Sequence, residues 1–233
     1  LVRSRGLGDV YKRQELYYAV NTKLTEELAD KAKAERVRQF VFFSTMSVYG
    51  MTMGQITEET ECTPITFYGK SKLAAERYLC EQRSDTFKVA VIRPPMIYGK
   101  ACTGNYASLE KLAGKIPVFP RVSNERSMIY IENLCEFLYR IIRGDADGIY
   151  CPQNSQYVNT SDMVARIAES YGRSIWLVPG FEWIIGKLAG RVNIFSKVFG
   201  SLTYDRKLSF PEEVGEYEVV DFLESIKKSK ESL

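Results

Sequence analysis

Tyr68 and Lys72 are the residues whose types and spacing best suit chemistry. They are four positions apart near the start of a predicted helix over Phe67–Glu81, and that separation places both side chains on one face. A phenol with a pKa of about 10 is a poor base at neutral pH, but a fixed ammonium beside it would lower that pKa. With a hydroxyl from a neighbouring strand end, the pair would form a proton relay.

Spacing alone does not decide this interpretation. A chain with 15 tyrosines contains about one Y-x-x-x-K by chance, so a surface tyrosine beside a solvated lysine stays open as an alternative. The elements around the pair therefore have to be considered.

The composition removes several kinds of catalytic and metal site. The chain has no histidine and five scattered cysteines without a C-x-x-C pair, so Ser–His–Asp and Cys–His nucleophiles and imidazole ligands are excluded. We expect no metal site. The odd cysteine number and the absence of a signal peptide favour reduced thiols and a cytoplasmic protein.

Charge and hydropathy exclude two classes of partner. A formal net charge of +3 without basic blocks argues against a nucleic-acid binder. The longest apolar-rich stretch, residues 181–202, is interrupted by Lys187, Arg191 and Lys197. It predicts an amphipathic helix rather than a membrane span.

Helical and strand patterns alternate along the chain. Leu24, Leu28, Ala29 and Ala32 mark one face of a first helix. Buried parallel strands are predicted at residues 40–44 and in FKVAVI, and another strand in GIYCPQ. Further helices are predicted at 133–143 and 160–171. The pattern predicts an α/β fold, with a parallel sheet covered by helices on both faces.

Four ordered blocks define a resemblance: FVFFSTMSVYG, FYGKSKLAAE, VIRPPMIYG and RSMIYIENL. Together they resemble the signature blocks of the extended short-chain dehydrogenases, the NAD-dependent epimerase/dehydratase family that contains UDP-galactose 4-epimerase. The resemblance spans about residues 15–229. It implies a Rossmann-like sheet, NAD as cofactor with NADP not excluded, a UDP-sugar substrate and a homodimer formed through the helices starting near Glu15 and Phe67.

The resemblance also implies roles for individual residues. Thr45 would be the catalytic hydroxyl, Tyr68 the acid/base, and Lys72 the residue that binds the nicotinamide ribose and lowers the tyrosine's pKa. The implied cofactor-binding residues are Asn21, Ser44, Tyr68, Lys72, Pro94 and Met96. The implied substrate-binding residues are Asn105 and Arg126 at the phosphates and Phe119 near the uracil.

Each assignment has a structural alternative. Thr45 would end a strand and cap a turn, Arg126 would form a surface ion pair, and Asn105 would cap a helix. Met96 and Phe119 would be packing residues.

The resemblance also implies a domain organisation. Residues 1–14 do not match the rest and are interpreted as foreign sequence or a disordered tail. Residues 15–100 would be the C-terminal part of the Rossmann domain, and 101–233 mainly a substrate lobe, with 126–155 returning to the sheet. The sequence has no strand followed by the glycine-rich turn that binds a dinucleotide. The family's first three strands are therefore expected to occupy about 70–80 residues upstream of Glu15. On its own, the chain is expected to bind NAD weakly or not at all, and to be inactive.

The expected function is therefore hydride transfer at C4 of a nucleotide sugar. A UDP-hexose 4-epimerase and a UDP-4-keto-sugar reductase remain alternatives, as does a non-catalytic binding or regulatory protein on the same scaffold. A dehydratase is disfavoured, because Met46 and Ser47 stand where that branch has Asp-Glu. Cell-surface polysaccharide synthesis is the pathway that the resemblance suggests.

Overall fold

The computed structural model describes residues 14–102, 105–180 and 199–230. These residues form two compact units. The first contains the chain up to residue 51, residues 60–93 and residues 141–151, and the second contains residues 52–59, 94–140 and those from 152 onwards. The predicted amphipathic helix at 181–202 and the predicted foreign segment at 1–14 lie almost wholly outside the described residues.

The first unit is built on a parallel three-stranded sheet in the order β1-β3-β7. Its strands are β1 (Gln39–Phe43), β3 (Lys88–Ile92) and β7 (Gly148–Tyr150). In the register, Val41 lies opposite Ala90, which in turn lies opposite Gly148. Strand β3 is apolar over Val89–Ile92 and buried throughout this run, as expected for a central parallel strand with both faces covered.

Two helical segments of the first unit pack against this sheet. The first runs from residue 14 through a π-helical turn, Ala19–Lys23, into α1, Leu24–Ala34. The second is α2, Phe67–Glu81, as predicted. A small 3₁₀ turn, Met46–Tyr49, follows β1. The core between sheet and helices contains Ala29, Phe42, Ala75, Leu79, Phe87, Val89 and Val91.

The exposure of two leucines in α1 differs from the prediction. Ala29 is fully buried and Ala32 packs against the core, but Leu24 is 46% exposed and Leu28 is 52% exposed. The helix presents its small residues to the sheet because alanines allow closer approach, and its leucines face away from that core.

The second unit contains short parallel strand pairs and most of the remaining helices. Its strands are β2 (Gly54–Ile56), β4 (Met96–Tyr98), β5 (Val118–Pro120), β6 (Met128–Tyr130), β8 (Trp176–Val178) and β9 (Leu202–Tyr204). They pair as β2-β9, β4-β6 and β5-β8. Its helices are α3 (Asn105–Ala113), α4 (Ile131–Arg143, whose last three residues belong to the first unit), α5 (Thr160–Ser170), α6 (Arg206–Ser209) and α7 (Phe222–Lys230).

The buried side chain of Asn154 forms hydrogen bonds with three residues of the second unit, two of them tyrosines of its core. Asn154 Oδ1 accepts from the Tyr130 amide at 3.2 Å and from Asn133 Nδ2 at 3.0 Å, while its own Nδ2 donates to the Tyr98 hydroxyl at 3.0 Å. The rings of Tyr98 and Tyr130 are tilted by 47° to each other, with 5.5 Å between their centroids. Each buried polar atom in this group thus has a partner, as an apolar core requires.

The bounds of the two compact units differ from those of the predicted domains. The first unit ends at Arg93 rather than at residue 100, and the segment that returns to its sheet is 141–151 rather than 126–155. The cause is strand pairing: β6 pairs with β4, not with the three-stranded sheet. Helix α5 is capped by Asn159, whose side chain accepts from the amides of Ser161 and Asp162.

Candidate active site

The start of α2 places Tyr68 beside the end of β1. Thr66 caps the helix, since its hydroxyl accepts from the Gly69 amide at 3.0 Å. Gly69 lies so close to the 3₁₀ turn that a Cβ on it would lie 2.7 Å from the Ser47 carbonyl oxygen. Helix and turn can approach this closely because residue 69 lacks a side chain.

The Thr45 hydroxyl lies close enough to the Tyr68 phenol to lower its pKa. Thr45 follows β1 at its carboxyl end, the edge where open parallel sheets place their ligands. The Thr45 hydroxyl also accepts from the Ser47 amide at 3.2 Å. Thr45 therefore caps the turn, as its structural alternative predicts, while its role as the catalytic hydroxyl stays a prediction.

The pKa of Tyr68 is raised, which is the opposite of the prediction. Burial of the phenol raises the pKa most, the hydrogen bond from Thr45 lowers it, and the neighbouring Tyr17 raises it. The phenol is therefore protonated at neutral pH in this structure. Desolvation outweighs the expected effect of a nearby lysine.

The Lys72 ammonium is directed to the backbone of β1. Its Nζ donates to the Phe43 carbonyl at 2.8 Å and lies 4.7 Å from the centre of the Phe42 ring. Burial lowers the pKa of Lys72, while the carboxylate of Glu76 raises it. Lys72 thus shares a helix face with Tyr68, as predicted, but its charge interacts with β1.

Asn21 lies in the π-helical turn and fastens that turn to α2. Its Nδ2 donates to Ser71 Oγ at 3.0 Å, and the Thr22 hydroxyl donates to the Ser71 carbonyl at 2.9 Å. A π-turn inside a helix is a feature often found at functional sites. Asn21 therefore lies beside the helix that carries Tyr68 and Lys72, as the predicted grouping requires.

Ser44 is buried, and its hydroxyl donates to the carboxylate of Glu76. Glu76 is in turn paired with Arg93, whose Nη2 lies 2.5 Å from Oε2. Arg93 Nη1 donates to the Tyr49 hydroxyl at 2.8 Å. The sequence analysis missed Glu76 and Arg93; the available signal was that Glu76 is one helical turn beyond Lys72.

The predicted residues of the second unit fall into two groups. Pro94 is buried, Met96 packs against the core, and Phe119 is 3% exposed with its ring 5.9 Å from that of Phe199. These positions fit the packing alternative for Met96 and Phe119. Asn105 begins α3, but its side chain lies outside the described part of the chain.

Arg126 is half-buried and binds only backbone in the part of the chain that is described. Its Nη1 donates to the Gly200 carbonyl at 2.8 Å, and no carboxylate among the described residues forms an ion pair with it. Burial lowers the pKa of its guanidinium. A cation held this way is suited to an anionic ligand, because Arg presents a planar fork of donors.

Over residues 14–102, 105–180 and 199–230, no three Cys, Asp or Glu side chains are grouped so that they could hold a metal ion. Within these ranges, no helix is both long and apolar enough to cross a membrane.

A family comparison identifies the scaffold. Residues 4–150 match the NAD dependent epimerase/dehydratase family. The chain belongs to this family. The match begins within the segment that was interpreted as foreign, and it includes Asn21, Thr45, Tyr68 and Lys72. The resemblance to extended short-chain dehydrogenases and the Rossmann-like fold are thereby confirmed.

Individual family members are similar over most of this chain. A UDP-glucose 4-epimerase of Vibrio cholerae is 31% identical over 202 residues, which is 82% of this chain and 62% of the relative. An Escherichia coli O157:H7 N-acetyl-alpha-D-glucosaminyl-diphospho-ditrans,octacis-undecaprenol 4-epimerase is 30% identical over 79% of this chain and 58% of its own length. The chain therefore spans about three fifths of the length of these two relatives.

A solved structure shows the same fold. The UDP-glucuronic acid 4-epimerase of Bacillus cereus in complex with NAD superposes with a TM-score of 0.71, at 15% identity, over 94% of this chain and 66% of that one. NAD is the cofactor of the family, and the donor set of the first unit fits part of it. Its predicted members, the amide of Asn21, the phenol of Tyr68 and the ammonium of Lys72, lie on two adjoining helical segments.

Proposed function

We propose that the protein is an NAD(P)-dependent nucleotide-sugar epimerase of the UDP-hexose 4-epimerase type. The observation that carries the proposal is the placement of Tyr68, at the start of α2, beside Thr45 at the carboxyl end of β1. It gives the two hydroxyls that proton transfer at a sugar carbinol needs, in a chain without histidine. The family of the chain and its 4-epimerase relatives support this chemistry.

Tyr68 moves the proton of the C4 hydroxyl. When the substrate is oxidised, the phenolate takes this proton, and when the 4-keto group is reduced, the phenol returns it. When bound, a nicotinamide would supply the hydride chemistry at C4, as the acceptor in oxidation and the donor in reduction. The hydrogen bond from Thr45 lowers the pKa of Tyr68 against the effect of burial, so Thr45 assists the step in which the phenolate is needed.

Lys72 and Asn21 hold the cofactor side of this relay. Lys72 is fixed by the Phe43 carbonyl and would bind a ribose hydroxyl, while Asn21 orients Ser71 and the helix surface beside Tyr68. The hydroxyl of Ser44 is directed to Glu76 rather than to solvent. We therefore assign to Ser44 no side-chain contact with the cofactor, only a backbone contact.

The substrate is a hexose attached through a diphosphate. The names of the two 4-epimerase relatives share that feature, since one acts on a UDP-sugar and the other on a diphospho-undecaprenol sugar. Arg126 is the residue we assign to the diphosphate, because its half-buried guanidinium pairs with no described carboxylate. We retain Asn105 as a phosphate ligand and give Phe119 a packing role.

A reductase of 4-keto sugars is the second candidate. The raised pKa of Tyr68 favours it, because a protonated phenol is ready to donate to a ketone oxygen, whereas an epimerase must also use the phenolate. The two candidates differ in the fate of the cofactor: an epimerase retains and recycles it, while a reductase releases it oxidised.

The test uses the full-length protein, purified without added cofactor and then denatured. Near-stoichiometric release of NAD(H) and interconversion of UDP-hexoses would support the epimerase. An empty protein that oxidises NAD(P)H only with a 4-keto sugar would make it a reductase. Tyr68→Phe should abolish either turnover and leave the circular dichroism spectrum unchanged; unchanged turnover in this variant would refute the catalytic assignment.

A further inference from the structure

Helix α2 presents three residues, each one turn apart, to the last residues of β1. Tyr68 lies beside Thr45, whose hydroxyl influences its pKa, and Lys72 Nζ donates to the Phe43 carbonyl at 2.8 Å. Glu76 completes the series. Because residues four apart share a helix face, these contacts together fix where α2 lies along the strand end.

Glu76 is the anchor of this series. It is 1% exposed and accepts from the hydroxyl of Ser44, the residue before Thr45. Arg93, 7% exposed, donates to the same carboxylate from Nε at 3.1 and 3.2 Å and from Nη2 at 2.5 Å. The carboxylate of Glu76 therefore links α2 to the ends of both β1 and β3.

A gain in stability is not the reason for a buried ion pair such as that of Glu76 and Arg93. Two buried charges lose their hydration, and replacing both by apolar residues of similar volume often leaves a protein equally stable or more so. The pair instead adds geometric specificity. A guanidinium bound to a carboxylate through two nitrogens fixes the distance and the angle between the two groups. Arg93 also donates to the Tyr49 hydroxyl at 2.8 Å, which ties the 3₁₀ turn after Thr45 into the same network.

We propose that Glu76 and Arg93 are positioning residues for proton transfer, holding α2 against the end of β1 so that Tyr68 stays beside Thr45. The inference rests on the proposed function of Tyr68. It assigns no contact with substrate to either residue. Misplacement of a reacting group by about 1 Å can reduce turnover about a hundredfold, so a small slide of α2 is sufficient.

The decisive variant is Glu76→Leu/Arg93→Met in the full-length protein. It removes both charges and keeps the volume, so it is expected to fold. We expect kcat to fall about ten- to a hundredfold with little change in KM. Ser44→Ala, which cuts only the link to the residue before Thr45, should lower kcat less. A folded double variant with the kcat of the parent protein would overturn the inference.

A second readout does not depend on turnover. Tyrosines labelled with ¹³C at Cζ report the titration of Tyr68, and its resonance is assigned by its loss in Tyr68→Phe. Because the hydrogen bond from Thr45 lowers the pKa of Tyr68, the double variant should titrate at higher pH than the parent. An unchanged titration in the folded double variant contradicts the inference, whatever the substrate.

The matched control removes a charge at the other end of the same sheet. Asp145 pairs with Arg38 at 2.8 Å and with Lys88 at 3.0 Å, so Asp145→Asn breaks two ion pairs. It should leave kcat and the Tyr68 titration unchanged. If Tyr68→Phe keeps full turnover, the proposed function fails; if Tyr68→Phe is inactive while the double variant is fully active, only the positioning inference fails.

Discussion

The ring of Tyr17 meets the ring of Tyr68 edge-on, with 5.8 Å between the ring centroids and 61° between their planes. Tyr17 is one helical turn before Asn21, which bonds to Ser71 on the same helix as Tyr68. A second phenol therefore borders the candidate acid/base. Charge on both rings would be unfavourable, and this repulsion adds to the effect of burial in raising the pKa of Tyr68.

Replacing Tyr17 by phenylalanine should lower the pKa of Tyr68. The ring contact remains but the second ionisable group is lost, so the phenolate of Tyr68 forms at lower pH. Any step that needs this phenolate should therefore begin at lower pH in Tyr17→Phe than in the parent protein. The measurement is the pH dependence of kcat/KM. A shift of the profile towards higher pH would contradict the assignment.

Tyr17→Leu tests the ring itself. Losing an edge-on aromatic pair costs about 0.5–1.5 kcal/mol beyond the lost area, so urea unfolding should show a destabilisation of this order that Tyr17→Phe lacks. Equal stability of the two variants would show that the ring contact contributes nothing.

Gly69→Ala should be harmful, although helices usually favour alanine. The helix-propensity gain is about 0.5–1 kcal/mol, but the new Cβ would lie 2.7 Å from the Ser47 carbonyl oxygen and 3.0 Å from Pro64 Cβ. Overpacking of this kind costs about 1–3 kcal/mol, and it forces α2 away from the turn after Thr45. We expect lower stability in urea and a reduced kcat.

Gly114→Ala is the control for this glycine. A Cβ there would meet only carbonyl oxygens of the preceding helix, Glu110 at 3.6 Å and Lys111 at 3.7 Å, which is ordinary contact. Its stability should change by less than about 1 kcal/mol. If Gly69→Ala behaves like this control, the close approach of helix and turn is not important.

An apolar stripe on the first helical segment is predicted to bind a second copy of the chain. Its members are four residues apart and exposed by 62, 51, 46 and 52%: Leu16, Val20, Leu24 and Leu28. A contiguous apolar patch of this kind marks an interaction surface, and the family resemblance implies a homodimer through this segment and α2. Val20→Glu/Leu24→Glu should convert a dimer to a monomer in light scattering after size exclusion.

Leu223→Glu serves as the comparison for the stripe, because Leu223 is an equally exposed leucine, 52%, on α7. It should leave the oligomeric state unchanged. A parent protein that is monomeric at high concentration would rule out the dimer.

Arg126→Lys tests the diphosphate assignment. The variant keeps the charge but loses the planar fork that binds two oxygens. A hydrogen bond between charged groups contributes about 1.5–3 kcal/mol, so KM should rise about ten- to a hundredfold while kcat changes less. Arg166→Lys, at an exposed pair with Glu169, should change neither constant. An unchanged KM in Arg126→Lys would place the diphosphate elsewhere.

Local patterns in the sequence determined the elements and the resemblance. The residue pattern predicted α2 over Phe67–Glu81, and the apolar run of FKVAVI predicted β3. Caps, strand runs and the four ordered blocks are short-range features, so they are visible without the fold. The same features grouped Asn21, Thr45, Tyr68 and Lys72 on neighbouring elements, with their roles still proposals.

The remaining features depend on contacts that only the tertiary structure fixes. Strand β6 pairs with β4, and the pairing partner of a strand depends on residues that are far apart in the sequence. The bounds of the compact units therefore differ from those of the predicted domains. Glu76 and Arg93, 17 residues apart, become a pair only when α2 packs across the ends of β1 and β3. The pKa of Tyr68 rises rather than falls because desolvation depends on everything packed around the phenol, and sequence spacing measures none of it.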